Sequence, residues 1–334
     1  MQRYLDRFEA LLGPTPVKAI TLDVLGRERT IHLKLEGHNL TGSIKARTAY
    51  GLVRGLVEDG KVKRGVELLE STSGNLGVAL ASMTQSLGIG FTAVVDPLST
   101  QESRDRMKKL GARVVMVDTA DATGAYLLSR IEKVQELLAA DDRYVWVNQY
   151  ESPRNPEIHR RLTGPEILDQ TQTVPDAVFI AVSTGGTFAG VSRCFRERGL
   201  GTRMVAVDVN GSVAYGGTPG RRHLSGIGAS RRSSFLEPSL VDHYSYVSAG
   251  EAAYYCRKIL RETGTHLGAS SGAVVAACVR FLEEHPGVTD PLCVCADGGE
   301  KYQDTVYNDG WLAAIGETPL PAGASGTVGT GNAR

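Results

Sequence analysis

From Val66 onward, short runs rich in Val, Ile, Leu, Ala and Phe alternate with helix-length segments, and this alternation constrains the fold more than any other feature of the chain. The runs cover 66–70, 91–95, 113–117, 144–147, 177–182, 203–207 and 292–296. Near-continuous apolar strands belong to sheets covered on both faces, and parallel strands need a crossover helix between them. Segments 75–87, 100–110, 123–140, 157–171, 186–197, 251–262 and 271–284 supply those crossovers. Within 123–140, Leu127, Ile131, Val134 and Leu138 share one stripe, which predicts the core-facing side and leaves Arg130 off it. The pattern predicts an α/β fold of two open, twisted, mostly parallel sheets flanked by helices. At 334 residues the chain is long enough for about two domains. The strands before Tyr150 and those after it read as separate sheets, joined by a polar, Pro-containing stretch at 151–157.

Charge removes several function classes. Lys+Arg 37 balance Asp+Glu 37, so no net field draws the protein to nucleic acid or anionic lipid. The first residues, MQRYLDRFEALLGPTP, hold no apolar leader core, and no apolar run approaches the roughly 18 residues of a membrane span. Cysteines 194, 256, 278, 293 and 295 form neither a disulfide framework nor metal-ligand spacing, and Cys293 and Cys295 read as small core hydrophobes of a buried strand. A reducing, cytoplasmic setting is expected. The histidines show no i, i+4 pair, so each reads as a surface or structural residue and no metal is expected. Gly226-Ile227-Gly228 continues as Ala-Ser-Arg, not as a dinucleotide fingerprint, and no P-loop string occurs. Nicotinamide dehydrogenases and P-loop NTPases are therefore disfavoured.

Four glycine- and hydroxyl-rich segments remain: Asn39 to Lys45, Ser71 to Gly77, Ser183 to Thr187, and Gly268 to Gly272. At least three stand where a strand or loop hands over to a helix. Unpaired N–H groups and the positive end of the helix dipole make such a place an anion site, and glycine lets the backbone come close.

Taken in order, these segments resemble the fold-type II pyridoxal-phosphate enzymes, and within them the cysteine synthase (O-acetylserine sulfhydrylase) family, from about Gly13 to Tyr302. The resemblance implies pyridoxal 5'-phosphate as cofactor, in Schiff-base linkage to Lys45. It implies that Thr72, Ser73 and Asn75 hold the substrate α-carboxylate, with Asn75 also bonding the ring hydroxyl and Gln149 orienting the carboxylate. By the same resemblance Ser183, Thr184, Gly185, Gly186 and Thr187 cradle the cofactor phosphate and Ser270 meets the pyridine nitrogen. Leu40 and Ala46 depart from the commonest family pattern, at positions without chemistry. The implied layout is a smaller, mobile N-terminal domain of residues 40–150, a larger phosphate-binding domain of 1–39 and 151–320, and a disordered tail at 321–334, in a homodimer.

Strings outside the cofactor contacts, among them Lys133 to Ala139, Gly226 to Arg231 and Val306-Tyr307 with Trp311-Leu312, resemble the branch of 2,3-diaminopropionate biosynthesis. That branch joins O-phospho-L-serine to L-glutamate, giving N-(2-amino-2-carboxyethyl)-L-glutamate and phosphate. Here Ser183 stands where cysteine synthases typically have Gly, and Tyr150 where they have Phe, each adding a hydroxyl suited to a phosphate leaving group. Arg130 stands either as a guanidinium aimed at the cleft or as a solvated arginine, and Arg231 is a second candidate. A serine facing the pyridine nitrogen does not keep it protonated, which favours β-elimination over racemisation or transamination. A cysteine synthase using sulfide stays open as an alternative, as does a member of the family that binds without turnover.

Overall fold

The computed structural model describes residues 1–72, 74–121 and 124–321. Its strands are β1 (Val17–Val24), β2 (Arg27–Leu35), β3 (Glu67–Ser71), β4 (Gly90–Val95), β5 (Arg113–Met116), β6 (Tyr144–Trp146), β7 (Ala177–Ala181), β8 (Arg203–Val209), β9 (His243–Val247) and β10 (Pro291–Cys295). The helices are α1 (Gln2–Glu9), α2 (Lys45–Glu58), α3 (Asn75–Leu87), α4 (Gln101–Lys109), α5 (Leu127–Ala140), α6 (Arg154–Ile158), α7 (Gly164–Gln170), α8 (Gly186–Glu197), α9 (Ala249–Thr263), α10 (Ala269–Glu284) and α11 (Asp309–Ala314).

Two sheets form, as the alternation requires. One is four-stranded and wholly parallel, in the order β5-β4-β3-β6. The other is six-stranded, in the order β1-β2-β10-β7-β8-β9, and parallel except for the antiparallel pair β1 and β2. That pair is a hairpin whose turn residues, Leu25 and Gly26, both have positive φ (52° and 74°), the geometry that matches strand twist across a two-residue turn. Helix α10 is apolar almost all round and buried along its length, which marks it as the helix at the centre of the larger core. The sheet of β3 to β6 has a separate core shared with α2 and α3.

Three local expectations change. The helix foreseen over 157–171 is α6 and α7 joined by a π-helical turn, His159–Thr163; a widened turn of this kind often marks a functional place. Arg130, expected off the core stripe, is buried on α5 and faces Asp96, its Nε 3.1 Å from Oδ2. Its burial follows from packing of α5 over β3 and β4, the inner strands of that sheet, which covers this side chain instead of leaving it in solvent. The helix foreseen from 123 begins at Leu127. The expected tail at 322–334 lies outside the described residues.

A buried charge cluster anchors α2. The Arg47 guanidinium, two residues after Lys45, donates to Glu36 (Nε to Oε2, 2.9 Å; Nη2 to Oε1, 2.9 Å) and to both oxygens of Glu166 (2.8 Å each). Lys34 Nζ pairs with Glu166 and donates to Thr15 O at 2.6 Å. The first turn of α2 is thereby tied to β2 and α7 of the larger sheet.

Candidate active site

The residues singled out in the sequence fall at the carboxyl ends of strands or at helix starts, the places where open α/β sheets bind ligands. Lys45 opens α2, half-buried, and its Nζ makes no hydrogen bond or ion pair with the described residues. Burial holds its amine at a pKa of about 8, well below the ordinary 10.5. A lysine with no partner and a lowered pKa is a nucleophilic amine in waiting.

Beyond β7, Ser183 and Thr184 lead into Gly185 (φ 86°) and the start of α8, which no side chain caps. The N–H groups of that helix start, of which that of Gly186 reaches Thr184 Oγ1 at 3.4 Å, make an anion cradle. Its tightness is set by Asn155, whose Nδ2 donates to Gln149 O (2.7 Å) and Thr184 Oγ1 (3.3 Å). A Cβ at Gly186 would stand 2.1 Å from Asn155 Oδ1. Gly186→Ala is therefore expected to push the loop off its position, at an overpacking cost of about 1–3 kcal/mol. Cofactor affinity should fall by at least about tenfold, measured by fluorescence titration of pyridoxal phosphate; retention equal to the parent's would show that the loop has slack.

His159 links the lysine helix to this loop. Thr48, one turn after Lys45, lies 3.0 Å from Nε2, and Thr187 Oγ1 lies 3.3 Å from the same nitrogen; Nδ1 is 2.9 Å from Thr163 Oγ1. Burial, with the nearby Lys45 and Arg47 charges, holds its imidazole neutral, its pKa well below 6.5. His159 and Asn155 are neighbours of this loop that the sequence reading missed. The signal was their i, i+4 spacing, with Asn155 inside the 151–157 connection and His159 just after it.

On the other sheet, Thr72 follows β3 and its Oγ1 accepts from the N–H groups of Gly77 (3.0 Å) and Gly74 (3.3 Å), shaping the start of α3. Ser73 lies outside the described residues. Asn75 Nδ2 donates to Asp297 Oδ2 at 2.8 Å, and Asn75 Oδ1 accepts from Lys301. Gln149 is buried, donating through Nε2 to Ser71 O (2.8 Å) and Glu70 Oε1 (3.4 Å). Burial pushes the Glu70 carboxyl up to about 8, against the pull of Gln149 and Arg130. Tyr150 is buried beside it; Arg231 stacks over its ring at 5.7 Å while pairing with Glu151 at 2.8 Å.

Ser270 is fully buried in the first turn of α10, with Gly226 packed opposite its Oγ. The Gly228 N–H donates to Val182 O at 2.7 Å, which joins the Ser270 side to the 183–187 loop. Ile44 N donates to Ala296 O at 2.9 Å, and Gly268 N to Asp297 O at 3.1 Å, so Lys45, Asn75 and the start of α10 meet around the end of β10. One cleft thus gathers Lys45, Asn75, Gln149, the 183–187 loop and Ser270. Arg130 is buried against Asp96, and Arg231 lies over the Tyr150 ring.

These residues fit pyridoxal phosphate: an unpaired buried amine for its aldehyde, an uncapped glycine-lined helix start for its phosphate and a buried hydroxyl at a third corner. Among the described residues no cluster of His, Cys, Asp or Glu has the makings of a metal site, and the five cysteines are free and buried. No helix among them is long and apolar enough to cross a membrane.

Comparison with known proteins agrees with this geometry. The pattern of the pyridoxal-phosphate dependent enzyme family matches residues 9–295. The chain is 41% identical over 305 residues, 91% of its own length and 90% of the relative's, to N-(2-amino-2-carboxyethyl)-L-glutamate synthase of Ralstonia nicotianae. Among solved structures it is similar to an O-acetylserine dependent cystathionine beta-synthase from Helicobacter pylori (28% identity, TM-score 0.83, covering 90% of this chain and 98% of that one). It is also similar to cysteine synthase from Entamoeba histolytica (27% identity, TM-score 0.81, covering 90% of each chain). The chain belongs to the pyridoxal-phosphate dependent enzyme family, with the fold-type II, cysteine synthase-like architecture, and is a β-replacement enzyme.

Proposed function

We propose that this enzyme replaces the phosphate of O-phospho-L-serine with the amino group of L-glutamate, giving N-(2-amino-2-carboxyethyl)-L-glutamate. The observation that carries the choice of leaving group is the buried Tyr150 phenol, with the Glu151-paired Arg231 guanidinium over its ring and the charges of Arg130 and Arg222 acting on it. A hydroxyl with guanidinium groups around it suits a departing dianion, whereas acetate asks for far less. The 41% identity to a synthase named for this product supports the acceptor.

Pyridoxal phosphate supplies the electron sink that makes the substrate Cα–H acidic and the Cβ substituent labile. The residues do the rest. Lys45 Nζ would hold the cofactor and take the substrate Cα proton; its lowered pKa lets it exist as a base near neutrality. Thr72, the start of α3 and Gln149 orient the α-carboxylate. Ser183 and Tyr150 donate to the leaving phosphate, and Arg130 is the cation behind them. The buried Ser270 hydroxyl would meet the ring nitrogen and has no charge with which to keep it protonated.

The test is substrate preference. Phosphoserine should release phosphate and, with glutamate, yield the product mass, while O-acetylserine should react at least about tenfold less efficiently. Tyr150→Phe, which removes one hydrogen bond to a charged group, should lower kcat/KM for phosphoserine by about 10- to 100-fold without altering the cofactor's absorption. Better turnover with O-acetylserine and sulfide than with phosphoserine and glutamate would instead identify a cysteine synthase.

A further inference from the structure

Between Asp208 and Glu237 the chain holds no acidic residue but carries Arg221, Arg222, Arg231 and Arg232, although charge is balanced overall. This segment lines the cleft. Gly226 packs on Ser270, Ser233 Oγ donates to Thr184 O at 2.6 Å, and Ser234 Oγ donates to Tyr150 O at 2.6 Å. Arg221 and Arg232 are exposed, and Arg231 is neutralised by Glu151. Arg222 differs from all three. It is half-buried, its stem lies on Gly228, and its head donates only to neutral acceptors: Nη1 to Gly211 O at 3.2 Å and Nη2 to Ser230 Oγ at 2.8 Å. No carboxylate of the described residues lies within ion-pair distance. The acidic group that acts on it most, Asp208, is turned to the Tyr244 hydroxyl and the Val209 N–H.

A guanidinium removed from water and left without a counter-ion is costly unless an anion arrives during function. It offers five N–H donors, of which two are used. We infer that Arg222 receives the side-chain carboxylate of the acidic amino acid that enters as amine donor, an inference that rests on the reading above. A carboxylate matches one guanidinium fork. The phosphate dianion needs several donors, and Tyr150, Ser183 and Arg130 supply them without Arg222. Arg222 stands on the larger-sheet side, where it can hold the distal carboxylate while the donor's amino group addresses Cβ.

The two half-reactions separate these roles. Rapid mixing with phosphoserine alone measures the phosphate burst; adding glutamate or glutamine measures the acceptor step. In Arg222→Ala the KM for glutamate should rise at least about tenfold more than the burst rate falls. The preference for glutamate over glutamine should collapse, with Arg222→Lys recovering part of it. A slowed burst with unchanged glutamate KM would overturn the proposal in favour of the leaving phosphate, and an unchanged acceptor profile would overturn it outright. Should the alanine variant fail to fold, Arg222→Gln keeps the stem on Gly228 and removes only the charge. A parent enzyme without a phosphate burst overturns the leaving-group reading, whereas a parent with a burst but no use of glutamate overturns the acceptor; neither result resembles a defect confined to the variant.

Discussion

Lys45→Ala gives a protein that lacks the visible absorption of a lysine-bound cofactor and performs β-replacement at least about 10³-fold more slowly. The size of the effect follows from Lys45 serving as both covalent anchor and proton carrier. The other buried or half-buried lysines are committed elsewhere: Lys34 to Glu166, Lys301 to Asp297 and Asn75, Lys18 to Thr263 and Thr265, Lys133 to Glu136 and Lys258 to Glu262. The pH dependence has a definite sign. Because burial favours the neutral amine, capture of pyridoxal phosphate by cofactor-free enzyme should quicken as pH rises towards about 8 and level off above it, instead of climbing to 10.5 as for an exposed lysine. Borohydride reduction followed by peptide mass spectrometry checks the anchor. A coloured Lys45→Ala protein, labelled on another lysine, would contradict it.

Arg47→Ala should cost about 3–5 kcal/mol of stability, because it leaves Glu36 buried with no cation bonded to it and strips Glu166 of its principal partner. Burial alone would raise the Glu166 pKa, but Arg47 and Lys34 overcome it and hold the carboxyl at about 2, below the ordinary 4.5. A depressed carboxylate adds stability above its unfolded pKa and loses it as pH falls through its folded one. The gap between parent and variant should thus be full at pH 7 and narrow between about pH 4.5 and 2. Urea unfolding at several pH values measures it, and a loss below about 1 kcal/mol at pH 7 would show that the cluster is replaceable.

What was legible in the sequence was whatever depends on local pattern. Strands β3, β4, β7 and β8 are buried on both faces, so their apolar runs stand out. The hairpin of β1 and β2 was not foreseen, since VKAITLDV and RERTIHLKL alternate polar and apolar residues across a half-exposed edge. Helix α2 was hidden for the opposite reason: Arg47 and Thr48 look like a polar face but are buried. Their partners lie far off in sequence, Glu166 at 119 residues from Arg47 and His159 at 111 from Thr48, and no spacing rule reaches that far. The glycine-rich turns were readable because each carries its chemistry within a few residues. Arg222 was not, because its distinction is the lack of a nearby acid in space.

The strand order has a consequence for how the molecule is made. β10, completed only at residue 295, lies between β2 and β7, in the middle of the larger sheet. On the ribosome, residues 67–146 can close their sheet as a contiguous segment, while β1 and β2 wait, unjoined to β7, until the last strand emerges. The lysine helix is held to that late strand through Ile44 and Ala296. A nascent chain stopped before residue 291 should therefore hold a folded smaller sheet yet be unable to retain the cofactor, making loading an event that follows the emergence of β10.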